Sequence, residues 1–195
     1  MKIITISGAS GSGKTTLADY IHKSKPGSLL LSIDRYYLSK AEQIDKNGFF
    51  NFDYPAALDI DLLKNHLQEL RNDGQANVPI YDFTISERAG FELVTAKGTV
   101  IIEGLFAGSL LAGISDFNIF VDVDLDLALL RRIKRDMEER GRTLESVTNQ
   151  YINDVRPAYF KHVAHIKTTA DITLTNNQSI DQMLKDSEKI LNLFR

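Results

Sequence analysis

The sequence predicts an α/β fold in which a parallel five-stranded sheet carries helices on both faces. Three observations lead there. Short apolar runs alternate with longer stretches of helical periodicity along the 195 residues. The first apolar run passes through a glycine-rich turn straight into a helix pattern. One region, 78–94, breaks the alternation with two short β-like runs, read as an inserted hairpin.

The elements follow in order. Apolar runs at 2–6, 28–33, 99–102, 117–121 and 171–174 read as core strands. Helical patterns lie at 14–24, 59–72, 125–140, 143–154 and 179–194, and Ser179 with Gln182 has capping-box spacing. Val78 to Phe83 and Gly90 to Val94 supply the hairpin around the polar stretch 84–89. Gly74 and Pro79 mark turns within one domain, 1–195. There are no repeats and no low-complexity segment.

Composition narrows the function classes. A hydrophobic content of 43% and a charged content of 25% are ordinary for a soluble domain. A net charge of −3 supplies no global basic field for nucleic acid. The absence of cysteine excludes disulfides and thiolate metal sites. No apolar run approaches membrane-spanning length, and Gly8 ends the first one too early for a signal peptide. A cytoplasmic location is the expectation.

Gly8-Ala9-Ser10-Gly11-Ser12-Gly13-Lys14-Thr15 matches the phosphate-binding P-loop, G-x-x-x-x-G-K-[ST], and sits between a strand and a helix as that loop requires. Glycines let the backbone approach a phosphate and turn its N–H groups inward. The helix beginning near Thr15 and Thr16 adds its partial positive charge. Lys14 reaches the β- and γ-phosphates, and the Thr15 hydroxyl suits Mg²⁺. A nucleoside triphosphate with Mg²⁺ is therefore the expected ligand, within a P-loop NTPase three-layer fold.

Ligands in such folds bind beyond the carboxyl ends of the strands. Two acids stand there. Asp34 follows Leu29-Leu30-Leu31-Ser32-Ile33, where it serves either as a base for an attacking hydroxyl or as a turn cap. Glu103 follows Val100-Ile101-Ile102, where it either helps hold Mg²⁺, directly or through water, or caps a helix. Arg131, Arg132, Lys134, Arg135, Arg140 and Arg142 form a run that is either a solvated helix face or an arginine-bearing lid, 136–145, pivoting at Gly141. The aromatic segments Asn51-Phe52-Asp53-Tyr54-Pro55 and Tyr81-Asp82-Phe83 read, on their own, as packing. His22, His66, His162 and His165 have no metal-site spacing.

Taken together, the chain resembles the uridine kinase (uridine–cytidine kinase) family of P-loop kinases. The resemblance rests on the loop, then Asp34-Arg35-Tyr36-Tyr37, Asn51-Phe52-Asp53-Tyr54-Pro55, Val78-Pro79-Ile80-Tyr81-Asp82-Phe83 and Ile102-Glu103-Gly104. Phe120-Val121-Asp122, Arg131-Arg132-Ile133-Lys134-Arg135-Asp136, Glu139-Arg140-Gly141-Arg142, Gln150-Tyr151 and Val155-Arg156-Pro157 complete the ordered set. The resemblance implies phosphorylation of the 5′-hydroxyl of uridine or cytidine by ATP or GTP, with Mg²⁺. It implies Asp34 as the base, with Lys14 and Arg135 assisting transfer, and Asp53 as the ribose-hydroxyl acceptor beside Arg132 and Gln150. Tyr37, Phe52, Tyr81 and Phe83 are implied in the nucleoside pocket, and Arg140 and Arg142 over the phosphates. Self-association into a homo-oligomer is implied as well.

Two departures concern the acceptor. Ser86 stands where the family places a base-reading histidine, two residues before Arg88, and Tyr54 replaces another histidine. A kinase of a different small hydroxyl compound on the same scaffold is the first alternative. A nucleotide-binding regulatory protein without turnover is the second.

Overall fold

The computed structural model describes residues 1–191 of the chain. Five strands form one parallel sheet: β1 (Lys2–Gly8), β2 (Leu29–Ser32), β5 (Thr99–Glu103), β6 (Phe117–Asp122) and β7 (Ile172–Thr175), ordered β2-β5-β1-β6-β7. β3 (Gln75–Asp82) and β4 (Glu87–Thr95) pair antiparallel as the separate hairpin. All five sheet strands, including the last one expected from 171–174, lie where the apolar runs put them.

The near-continuous apolar strands have a plain cause. A parallel sheet covered on both sides buries every residue of a central strand, and all five residues of β5 are buried. Successive β1 side chains point to opposite faces. Ile3 joins the core under α3 (Ile60–Asp73) and the hairpin, whereas Ile4 and Ile6 join the core under α1 (Lys14–Ser24) and α9 (Ile180–Leu191). Two polar side chains of β1 are buried yet satisfied. Thr5 donates to Asn118 Oδ1 at 2.5 Å, and Ser7 Oγ accepts the Gly108 amide at 2.8 Å.

Three boundaries differ from expectation. Ile33–Tyr36 leaves the sheet and forms a 3₁₀ turn, because Ser32 Oγ captures the Asp34 amide at 3.3 Å. An additional helix, α2 (Lys40–Asn47), is fixed by a full capping box. Ser39 Oγ accepts the Glu42 amide at 3.2 Å, and Glu42 Oε2 accepts the Ser39 amide at 2.7 Å. The pattern at 143–154 begins as α6 (Leu144–Gln150) but continues through wide π turns at Tyr151–Val155 and Tyr159–Val163 on either side of α7 (Arg156–Ala158), then to α8 (Ile166–Thr169). Pro157 has no N–H to give the ordinary ladder. The chain widens around it, so that Arg156 N–H reaches Tyr151 C=O and Ala164 N–H reaches Tyr159 C=O.

The capping box expected at Ser179 is half formed. Ser179 Oγ accepts the Gln182 amide at 3.2 Å, but the Gln182 side chain turns to Asp186. Residues 192–194 of that expected helix lie outside the described residues. The remaining helices are α4 (Ala107–Leu110) and α5 (Leu125–Glu138).

Candidate phosphoryl-transfer site

The register puts the chemistry on one edge of the sheet. Glu103 is paired with Ile6 of β1 and with Ser32 of β2, and Gly8 is paired with Val121 of β6. The loop 8–15, Asp34 and Glu103 therefore meet just beyond the carboxyl ends of three adjacent strands.

Sterics explain two of the glycines. Gly13, the residue before α1, sits at φ +92°, and a Cβ there would come within 2.5 Å of Asn176 Nδ2. That asparagine braces the loop, donating to Ser12 C=O at 2.8 Å. At Gly104 a Cβ would overlap Cγ1 of Ile33, the buried neighbour of Asp34. Gly104 thus lets β5 end close enough to bring Glu103 and Asp34 into one site. The Gly104→Ala variant is expected to lose about 2–3 kcal/mol by overpacking, seen as a Tm lower by roughly 5–10 °C. A melting curve identical to wild type would contradict this packing.

An open cleft of about 690 Å³ spreads over this edge. It is lined by Ser10, Lys14 and Thr15 of the loop, by Asp34, Asp53 and Glu103, and by Arg132, Arg135, Arg140, Arg142 and Gln150. Tyr37, Phe50, Phe52 and Phe83 form its aromatic wall, with Thr84 beside them. The ring centroids of Tyr37 and Phe52 lie 4.7 Å apart, and those of Phe52 and Phe83 lie 5.8 Å apart, all edge-on. The Tyr37 hydroxyl is committed to Phe52 C=O at 2.9 Å, so Tyr37 offers the cleft its ring and not its oxygen.

At Asp34 the side chain is not the cap. Its amide is capped by Ser32, yet its carboxylate accepts no hydrogen bond among the described residues. Desolvation is the chief cause that pushes its pKa up to about 6, and the nearby Glu103 carboxylate adds to it. Lys14 and Arg140 pull the other way, and Asp53 raises it slightly further. Asp53 is itself buried and raised, mainly by desolvation, with Arg132 opposing. Glu103 accepts the Thr15 hydroxyl at 3.2 Å, which places a hard oxygen pair beside the loop. The Lys14 ammonium is only loosely held, 3.5 Å from Ala9 C=O.

The arginines of this run share one acid, although the Arg140 side chain is 54% exposed. Arg132, Arg135, Arg140 and Arg142 all turn toward the carboxylate of Asp136, which is fully buried. Its four-residue spacing from Arg132 and from Arg140 was visible in the sequence, but only the turn at Gly141 brings Arg142 back to it. Gln150, expected beside a ribose, lines the same cleft, and its Oε1 accepts from Arg132 at 3.0 Å and from Arg142 at 2.5 Å.

Three expected substrate residues do not line the cleft. The Tyr81 hydroxyl donates to Leu38 C=O at 3.2 Å inside the core. Arg88 pairs with Asp59, the N-cap of α3, at 2.9 Å. Ser86 sits at the hairpin tip with φ +57°, its carbonyl accepting the Lys40 amide at 3.1 Å. In their place Thr84 and Phe50 reach the wall, residues that sequence reasoning did not select.

A glycine-lined loop after β1, a loose lysine, an acid pair at the strand ends and a set of arginines over an open cleft define a P-loop phosphotransferase fold. The chain belongs to the phosphoribulokinase/uridine kinase family, whose model matches residues 3–181. It is 39% identical over 200 residues to a uridine kinase of Staphylococcus epidermidis, covering 97% of each chain. It is 40% identical over 191 residues to a uridine kinase of Staphylococcus haemolyticus, covering 93% of this chain and 92% of that one. Among solved structures, phosphoribulokinase from Rhodobacter spheroides superposes with a TM-score of 0.65 at 21% identity, covering 89% of this chain and 69% of that one.

Proposed function

We propose that the protein transfers the γ-phosphoryl group of ATP to the 5′-hydroxyl of a nucleoside, uridine or cytidine in the first instance. The observation that carries this reading is the shared cleft: the free carboxylate of Asp34 faces the same space as Lys14, Glu103 and the arginines, with an aromatic wall beside it. Asp34 takes the proton from the acceptor hydroxyl as the new P–O bond forms. Lys14 and Arg135 offset charge on the transferring group, while Arg140 and Arg142 cover the phosphates. Asp53, with Arg132 beside it, is placed to accept the ribose hydroxyls, and Tyr37, Phe52 and Phe83 stack around the base.

The residues present fit Mg²⁺. This ion keeps several waters and takes one or two protein oxygens plus substrate phosphates, and Thr15 and Glu103 offer such a pair. When bound, it neutralises charge on the β- and γ-phosphates. GTP as an alternative donor, a cytoplasmic location and self-association belong to the same reading. Phe91 and Leu93 on one face of the hairpin are exposed and available for self-association, and sedimentation of the 21.9 kDa chain tests it.

A nucleoside panel with ATP and Mg²⁺ is the decisive assay, with nucleoside monophosphate the expected product. Absence of turnover on every nucleoside, with turnover on another hydroxyl compound, would select the second kinase reading, which the missing base-reading histidine at Ser86 favours. The Ser86→His variant separates them further. Histidine tolerates the left-handed backbone at this position better than most residues, and a rise of several-fold in uridine kcat/KM is expected if the tip closes over the base.

A further inference from the structure

Asp136 has no part in the chemistry described above, yet its surroundings are unusual. Among the described residues no other carboxylate is paired with more than one cation; Asp136 faces four. Its Oδ1 accepts both Nε and Nη2 of Arg135, at 2.9 and 2.7 Å, and Arg140 stands 3.6 Å away. Its Oδ2 lies 3.6 Å from Arg132 and 3.6 Å from Arg142 and accepts no hydrogen bond, although it is fully buried. The backbone closes on the same residue, with Arg142 N–H donating to Asp136 C=O at 3.0 Å across the Gly141 turn.

We propose that Asp136 is a positioning residue for phosphoryl transfer, the one acid shared by Arg132, Arg135, Arg140 and Arg142, which keeps them assembled on the cleft wall before the triphosphate arrives. The proposal rests on the kinase reading above. Four guanidiniums gathered without an acid would repel one another and spread into solvent. One carboxylate cannot take all the N–H donors of four guanidiniums, so donors remain for an incoming polyphosphate. The contact geometry agrees. Asp136 grips the Nε–Nη2 edge of Arg135 and takes no hydrogen bond from its Nη1 amine. Preassembly of this kind acts on turnover more than on ground-state binding, because it removes reorganisation at the moment of transfer.

The test is Asp136→Asn, which keeps the shape and removes the charge. The expected result is a fall in kcat of about 30-fold or more, with KM for ATP changing less than about threefold. Affinity for tripolyphosphate should be unchanged or tighter, because an internal competitor for the arginines is gone. Asp136→Glu should recover most of the turnover. A kcat within threefold of wild type overturns the proposal, as does a parallel loss of kcat and tripolyphosphate affinity, which is what general loosening of the fold would give. Because removing one buried partner can prevent folding, wild-type protein supplies a second arm. In ¹⁵N-arginine spectra the Arg135 Nε–H should exchange slowly with solvent, both free and with tripolyphosphate, and rapid exchange in either state overturns the proposal. If the wild type phosphorylates no nucleoside, the nucleoside reading fails, while the tripolyphosphate and spectral arms still report on Asp136.

Discussion

Replacing Asp34 with asparagine is expected to lower nucleoside turnover by about 10²–10⁴-fold, the usual worth of a positioned general base, while ATP binding stays near wild type. Asparagine is nearly isosteric and cannot take a proton. Its side chain loses no protein hydrogen bond, since the Asp34 carboxylate accepts none. The expected signature is thus a collapse of kcat with a folded protein that titrates with ATP normally. Loss of ATP binding in parallel would instead make Asp34 a part of the phosphate or Mg²⁺ site. Wild-type turnover in the variant would remove it from the chemistry altogether.

The same substitution is expected to stabilise the protein at neutral pH. The sign follows from the raised pKa, about 6 in the folded state against an ordinary 3.8. The folded protein holds the Asp34 proton more tightly than the unfolded chain does. Its contribution to stability is therefore fully present below pH 3.8 and is lost as pH rises through about 6. At pH 7–8 wild type bears a penalty on the order of 1–3 kcal/mol, discounted for the side chain's partial contact with solvent. Asp34→Asn escapes it, so its Tm should exceed wild type by a few degrees at pH 8 and match it near pH 4. The same pKa predicts that wild-type kcat/KM falls roughly tenfold per pH unit below about 6, since the base must be ionised to act. A pH-independent kcat/KM between 5 and 8 would count against this assignment. Stability given up at a functional carboxylate is itself the pattern that active sites display.

Much of this site was legible because its logic is local. The strand–loop–helix glycine pattern needs only adjacent residues, and an acid directly after an apolar run marks the edge of a parallel sheet. Asp34 and Glu103 were found in this way, and so was the hairpin, from its broken alternation. Other features depended on distance. Asp136 sits four residues after Arg132, which on paper reads as an ordinary surface pair on a helix. Its complete burial is not written in that spacing, and although Arg140 repeats the four-residue step, Arg142 comes back only through the turn at Gly141. The helix after Tyr151 was hidden by Pro157, which usually stops a helix and here widens it. α2 was not hidden, since Ser39 and Glu42 have the spacing of a capping box, but its polar sequence offered no apolar stripe to draw notice. Arg88 shows the limit of position-by-position likeness. Asp59 lies close enough to hold it away from the cleft.

Lys14→Met is expected to remove both halves of the donor interaction at once, weakening ATP binding and lowering turnover by about 10²–10³-fold. Among the described residues lining the cleft Lys14 is the one lysine, and the arginines there already share Asp136. It alone supplies a compact cation from within the loop itself. Its ammonium has a single weak contact, the Ala9 carbonyl at 3.5 Å, so little is lost when it swings to a phosphate. Methionine keeps the length of the side chain and the start of α1, which leaves the loop geometry intact and isolates the charge. Arginine should not rescue the variant. A planar guanidinium does not reproduce the compact point charge of an ammonium. Titration of ATP by calorimetry, alongside steady-state turnover, distinguishes this variant from Asp34→Asn: the lysine change should move both quantities, the aspartate change only one. If Lys14→Met bound Mg²⁺–ATP as tightly as wild type, the triphosphate would have to lie elsewhere in the cleft, and the arginine cluster, not the loop, would be its anchor.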